Sequence, residues 1–189
     1  MMTADVPTPT RREHPARGWY ADTVQQDAAA RAQLRRCHSG VEAASLRVTM
    51  QLARRMGAHR SAEDRTFGIA CELARVLAWV RADEGDRLIR TLGWTKFPGE
   101  RPEDADRPRL SEVRFRRLLR VTEPGELADQ LIRLIRLADG RCPVGPLAED
   151  FEQWCTPSRS EAARQRWAFD YFNAAFAAPS HSASEDPSE

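Results

Sequence analysis

Apolar residues recur at helical spacing along most of this 189-residue chain, and this pattern restricts the possible folds more than any other feature. Residues three or four positions apart share one face of an α-helix, so such spacing predicts a helix that buries its apolar side. The most apolar stretch, which should form a central core helix, contains Phe67, Ile69, Ala70, Leu73, Val76, Leu77 and Val80. No alternation of apolar and polar residues indicates a strand. The sequence therefore predicts an all-α protein.

A loop rich in proline and acidic residues divides the helical pattern. Residues 98–108 contain three prolines and four acids, a composition typical of a solvated linker. We expect an N-terminal helical domain over 17–97 and a C-terminal helical bundle over 109–177, that is, two helical bundles in tandem. Residues 1–16 and the acidic residues 178–189 have the composition of disordered tails.

Several helix ends can be placed from the sequence. Gly40 should end an amphipathic stretch running from Trp19 to Cys37, Pro146 should open a later helix, and Ser158 or Ser160 should cap the last one. The expected apolar faces of the helix near 110–121 and of the last helix comprise Val113, Phe115, Leu118, Leu119, Val121, Trp167, Phe169, Tyr171 and Phe172.

The sequence contains no recognisable catalytic or metal-binding motif. Its ten glycines form no phosphate-binding loop, and its four histidines and four cysteines lack the spacing of metal ligands. We therefore expect no catalytic activity, no cofactor and no metal. No apolar segment approaches the roughly 20 residues that span a membrane, and the first seven residues lack the apolar core of a secretory signal. These features predict a cytoplasmic protein that does not contact membranes.

Arginine is the feature that suggests a function. Of the 29 basic residues only Lys96 is a lysine. A GC-rich genome would produce the same ratio, so the positions of the arginines are more informative than their number. Arg114, Arg117 and Arg120 repeat every three residues on one predicted helix, where Glu112 is the only acid.

Other arginines follow a similar spacing. Arg31 and Arg35 lie one turn apart with Arg36 beside them, and Arg133 and Arg136 form a pair on a later helix. A guanidinium presents a planar set of donors that matches phosphate oxygens. Several such faces would follow a nucleic-acid backbone without reading its sequence. Aromatic residues do not alternate with these arginines along the chain, so the pattern favours contacts with phosphates over stacking with bases.

Two other interpretations stay open at this point. The arginines could lie on solvated faces of a structural scaffold and contact carboxylates of partner proteins. Residues 52–57 followed by 61–70 could instead form the helix-turn-helix of a DNA-binding regulator. The second of these segments is more apolar than a recognition helix, which must expose polar residues to the major groove.

The order of these features resembles CasB, the small subunit of the type I-E CRISPR surveillance complex, Cascade. The resemblance covers about residues 17–176 of the chain. The segments that carry it are Trp19-Tyr20, 32–36, 52–57, 110–119, 127–135, Trp154 and Asp170-Tyr171-Phe172.

The resemblance implies a non-catalytic, all-α subunit that functions in antiviral defence. Two copies would lie in Cascade against the large subunit and the guide-carrying backbone subunits. The basic surface would contact crRNA and target DNA, including the displaced strand of the R-loop. The basic positions that match the family are Arg36, Arg60, Arg114, Arg120, Arg133 and Arg159. Glu123 is a departure, because a basic residue is expected there.

Helical spacing and the resemblance together define one set of predicted nucleic-acid-binding residues. The set comprises Arg35, Arg36, Arg60, Arg114, Arg117, Arg120, Arg133, Arg136 and Arg159.

Overall fold

The computed structural model describes residues 13–58, 65–94 and 107–173. Within these ranges the chain is mainly helical, and its only β-type contact is a single bridge between Ala82 and Arg141. The prediction of an all-α protein is therefore confirmed. The helices are α1 (Pro15–Trp19), α2 (Ala28–Arg36), α3 (Gly40–Ala44), α4 (Arg47–Arg55), α5 (Arg65–Leu77), α6 (Leu88–Leu92), α7 (Glu112–Leu118), α8 (Pro124–Leu137), α9 (Val144–Cys155) and α10 (Pro157–Asn173), with a π-helical turn (Tyr20–Val24) after α1.

None of the helices in the described ranges is long and apolar enough to span a membrane.

Short polar side chains set the start of two helices in the N-terminal half. Asp27 and Ser39 each accept a hydrogen bond from the backbone amide three residues later, at 2.9 Å and 3.2 Å. Such caps satisfy amides that have no partner inside the helix. The expected single stretch from Trp19 to Cys37 is therefore wrong, because the chain is interrupted before Asp27. Gly40 is the first residue of α3 and does not end a helix.

The starts of the last two helices also differ from the prediction. α9 begins at Val144, before Pro146, because the carboxylate of Asp83 accepts a hydrogen bond from the Val144 amide at 2.8 Å. α10 begins at Pro157, ahead of both serines proposed as its cap. Proline suits a first helical position because no carbonyl is available there for an amide hydrogen.

α5 is the central helix, as its apolar pattern predicted. It contacts α3, α4, α8 and α9, and residues 69–71 and 73–77 are buried. Arg75 is the charged residue within this buried run. Its guanidinium forms ion pairs with Glu72 on the same helix and with Asp129 on α8, and it donates to the carbonyl oxygen of Cys37 at 3.1 Å. α5 thus joins the two halves of the chain by packing and by charge.

The described residues on both sides of the proline- and acid-rich segment contribute to one hydrophobic cluster. α1 packs against α9, and α6 packs against α10. The division into domains over 17–97 and 109–177 stays a prediction. Residues 98–106, most of the N-terminal tail and residues 178–189 lie outside the described ranges. The last residues of the expected tail over 1–16 belong to the folded protein, since α1 begins at Pro15 and Ala16 is fully buried.

Two residues assigned to apolar faces are exposed. Val113 and Phe169 have 61% and 64% of their surface accessible, so neither belongs to the core. On α7 the buried positions are Phe115 and Leu118, and the ring of Phe115 stacks on that of Tyr171 with centroids 4.0 Å apart. α7 is therefore held by only one narrow side, and most of its surface faces solvent.

Candidate nucleic-acid interface

The described arginines fall into two groups according to their partners. One group forms ion pairs with nearby carboxylates and comprises Arg17, Arg55, Arg75, Arg87, Arg90, Arg109, Arg116, Arg141 and Arg166. No predicted binding residue in the described ranges belongs to this group. The second group consists of arginines that form no ion pair with a described carboxylate, and the predicted binding residues within the described ranges belong to it.

Three of the predicted residues line one groove between α7 and α8. Arg114 and Arg117 lie on α7 and Arg133 lies on α8, around a cavity of about 480 Å³. The other lining residues are Leu110, Leu118, Gln130, Leu134 and Leu137. No carboxylate lines this α7–α8 groove, so an anion inside it would meet three cations and no like charge.

The groove follows from the local sequence of its two helices. Burial of Phe115 and Leu118 turns Arg114 and Arg117 toward solvent on α7. On α8, burial of residues 127, 128, 131, 134 and 135 leaves Arg133 exposed. Because helical spacing determines which residues share a face, these three exposures could be predicted from sequence. The meeting of the two faces could not.

Two further predicted residues, Arg35 and Arg136, lie against the ring of Trp79. The Cζ atom of Arg35 lies 5.2 Å from the ring centroid, and that of Arg136 lies 5.4 Å from it. Both distances are within the range of a cation–π contact. Arg35 is held in place because its Nε donates to the carbonyl oxygen of Ala78 at 2.7 Å. Helix α2, the turn after α5 and helix α8 therefore meet at this ring.

Positive charge is concentrated at this position. Burial, and then the nearby charges of Arg31 and Arg81, lower the pKa of Arg35 below its usual value. No carboxylate contributes to the shift. We call Arg31, Arg35, Trp79, Arg81 and Arg136 the Trp79 cluster.

The groove and the Trp79 cluster are adjacent on α8. Arg133 belongs to the groove and Arg136 to the cluster, and residues three apart on a helix are neighbours. Four segments of the chain thus supply one region of unpaired arginines, which we call the arginine surface. It contains Arg35, Arg114, Arg117, Arg133 and Arg136 of the predicted set, together with Arg31 and Arg81.

Trp79 is the residue that sequence analysis missed. We found no aromatic residue alternating with the arginines along the chain, yet the fold places one between Arg35 and Arg136. Trp79 is 44 positions from Arg35 and 57 from Arg136. No spacing rule connects residues that far apart, so only tertiary structure could show this contact.

The structure does not bring the remaining predicted residues into the α7–α8 groove. Arg120 is exposed in the turn after α7, and Arg36 is exposed beside Arg35. Arg159 is exposed near the start of α10 and close to Glu152, whose pKa is lowered mainly by a hydrogen bond with His14 and less by Arg159. Arg60 lies outside the described residues.

A different cavity is unsuited to a polyanion. It has a volume of about 960 Å³ and is lined by Glu13, Asp83, Glu84 and Glu149, with His14 and Arg17 among its other residues. Because its carboxylates outnumber its basic groups, a phosphate backbone would be repelled. This cavity and the α7–α8 groove therefore differ in the sign of the charge that lines them.

The packing of α5 argues against the helix-turn-helix interpretation. A recognition helix must present a free surface to the major groove, whereas α5 is enclosed by α3, α4, α8 and α9. Residues 59–64, which comprise part of the proposed turn and the start of the proposed second helix, lie outside the described ranges. The second helix of the proposed motif is a core helix.

Comparison with known proteins identifies the family. No curated protein and no solved structure matches the chain. The family model for CRISPR-associated protein Cse2 matches residues 30–172, which include both sides of the proline- and acid-rich segment. This match covers most of the chain and confirms the resemblance found in the sequence. The chain belongs to the Cse2 (CasB) family, the small subunit of type I-E Cascade.

Proposed function

We propose that this Cascade subunit binds the nucleic-acid backbone through its arginine surface and thereby stabilises the R-loop between guide RNA and target DNA. The observation that carries the proposal is the α7–α8 groove, where Arg114, Arg117 and Arg133 converge without a carboxylate. A phosphodiester is the anion that this arrangement suits, since guanidinium groups pair with phosphate through charge-assisted hydrogen bonds.

The energetics of R-loop formation give such contacts a large effect. The RNA–DNA hybrid that forms is about as stable as the DNA duplex that it replaces, so modest contacts with the backbone can shift the balance. Guide pairing supplies the sequence specificity. A surface that neutralises phosphates needs no contact with base edges to perform this role.

The proposed partners follow from the family and from the charge of the surface. They are the large subunit and the guide-carrying backbone subunits of Cascade, a second copy of this chain, crRNA, and target DNA with its displaced strand. The role requires no chemical step from the chain, and we place it in the cytoplasm, where the guide RNA and the target DNA meet.

The proposal can be tested by a salt titration of DNA binding with the full-length protein. In the double variant Arg117→Gln/Arg133→Gln, two phosphate contacts are lost. We expect weaker binding and a slope of log K against log salt that is less steep by about one unit per lost contact. The difference from the wild type should therefore be largest at low salt and narrow as salt is added.

A matched control separates position from net charge. Arg55→Gln/Arg141→Gln removes the same charge from two arginines that pair with Asp22 and Glu84 at 2.8 Å and 3.1 Å. We expect this control to keep the wild-type slope. The proposal is wrong if both double variants change the slope equally or if neither does.

A further inference from the structure

We propose that Trp79 is a stacking site for an unpaired base of single-stranded nucleic acid, and that Arg136 moves from the ring to the phosphate of the same nucleotide. This inference rests on the proposed function and extends it. Contact with phosphates alone does not distinguish single strands from duplexes, whereas a base can stack on a protein ring only when it has left its own helix. In an R-loop the bases of the displaced strand are unpaired.

The indole of Trp79 differs from the buried indoles of this protein. Trp19, Trp154 and Trp167 are buried, and each donates its ring N–H to an oxygen at 2.9 to 3.0 Å. Trp79 is half-buried, packs against the core and donates no side-chain hydrogen bond to a described residue. Trp79 is therefore anchored by the core, while part of the residue remains accessible.

The two arginines at the ring are held to different degrees. Arg35 is half-buried and donates to the carbonyl oxygen of Ala78 at 2.7 Å, so it stays where it is. Arg136 is exposed, and its guanidinium forms no hydrogen bond or ion pair with a described residue. It can leave the ring without breaking any bond, and only the cation–π contact is lost.

The exchange of Arg136 for a base is favourable on physical grounds. An exposed cation–π contact is weaker than the stacking of a nucleobase on an aromatic ring. The displaced guanidinium is then free to pair with a phosphate, one helical turn from Arg133 in the α7–α8 groove. A nucleotide supplies both the ring and the anion that this position lacks.

The charge around Trp79 supports a polyanionic ligand. Arg31 and Arg81 add positive charge close to that of Arg35, and neither Arg35 nor Arg136 forms an ion pair with a described carboxylate. A neutral aromatic ligand would satisfy the ring but leave these charges unpaired. Single-stranded nucleic acid satisfies both, which is why we favour it over a protein segment.

The test compares two substitutions at Trp79 in the full-length protein. Trp79→Phe keeps an aromatic ring, whereas Trp79→Leu keeps apolar packing and removes the ring. Affinity is measured for a single strand and for a blunt duplex of the same length. We expect Trp79→Leu to bind the single strand about fivefold more weakly or worse. Duplex affinity and the salt slope should be unchanged, because no charge is lost. Trp79→Phe should stay close to the wild type.

A second measurement does not depend on the folding of a variant. A single strand carrying 5-iodouracil is crosslinked by light to the wild-type protein, and the peptide that carries the crosslink is identified. We expect the peptide that contains Trp79. Crosslinks confined to other peptides overturn the inference, as does a Trp79→Leu protein that binds single strands like the wild type.

The outcomes distinguish this inference from the proposed function. If Arg133→Gln weakens binding of both nucleic acids and Trp79→Leu weakens neither, only the stacking site is wrong. If the wild type binds neither form at low salt, both proposals fail. If Trp79→Leu binds single strands normally but no longer joins Cascade, the ring contacts a partner subunit and the inference is overturned.

Discussion

Arg75 and Arg117 show how the same side chain serves two purposes at the scale of single residues. Arg75 is only 3% exposed and is enclosed by Glu72, Asp129 and the carbonyl oxygen of Cys37, so its charge is used inside the protein. Arg117 is exposed and has no carboxylate partner among the described residues. Only the second kind of arginine can offer its full charge to a ligand.

Replacing Arg75 with alanine should destabilise the fold strongly. Removal of one member of a buried ion pair leaves an uncompensated charge, which costs about 3–5 kcal/mol. Glu72 is the carboxylate most affected, because its side chain is only 13% exposed. We expect this loss in the free energy of unfolding, measured by urea denaturation. Arg141→Ala, which removes an exposed ion pair, should change it by at most about 1 kcal/mol. Equal losses in the two variants would show that Arg75 is not a structural charge.

Sequence reasoning was successful for residues whose environment is local. Arg114, Arg117 and Arg133 are exposed because the apolar residues of their own helices are buried, and helical spacing contains that information. It failed for Trp79, whose two arginine neighbours belong to distant helices. It also failed for Val113, which is apolar but lies outside the narrow buried side of α7. The spacing of apolar residues does not show how many positions around a helix its neighbours will bury.

At the scale of helices, the junction between α6 and α10 depends on a residue without a side chain. Gly93 follows α6 and is buried, and the amide of Trp94 donates to the carbonyl oxygen of Tyr171 at 2.9 Å. A Cβ atom on Gly93 would overlap with that same carbonyl group. The close approach of the two backbones therefore requires glycine at this position.

Two glycine-to-alanine substitutions should have opposite effects. Gly93→Ala should destabilise the protein by about 1–3 kcal/mol, because the backbone of α10 must shift to make room. Gly68→Ala should stabilise it by about 0.5–1 kcal/mol, since Gly68 lies in α5 with open space around it and alanine is the better helix former. Thermal unfolding measures both. A neutral Gly93→Ala would mean that α6 and α10 do not approach so closely.

Helix boundaries illustrate the same limit of sequence reasoning. The cap of α3 is local, since Ser39 bonds to an amide three residues away, and it could have been identified from sequence. The start of α9 depends on Asp83, which is 61 positions away from Val144. Where a helix end is set by a distant side chain, proline and glycine positions alone place it wrongly.

At the scale of the whole molecule, the net charge of +1 conceals an uneven distribution of charge. Many arginines are neutralised by carboxylates within the fold, while those of the arginine surface are not. α2, the segment after α5, α7 and α8 must fold together to form this surface, and they lie on both sides of the proline- and acid-rich segment. The family match spans the same segments. The function that we propose therefore belongs to the complete fold.

R-loop formation by assembled Cascade tests the central claim most directly. Complexes are prepared with the wild-type subunit, with Arg117→Gln/Arg133→Gln and with the control Arg55→Gln/Arg141→Gln, and incorporation of the subunit is quantified in each. If the arginine surface binds nucleic acid, all three complexes should assemble. Only the complex with Arg117→Gln/Arg133→Gln should then need a higher concentration of complex to open the target duplex. If this complex forms R-loops like the wild type, or if it loses the subunit before any effect on DNA is seen, the arginines serve protein contacts and the account is contradicted.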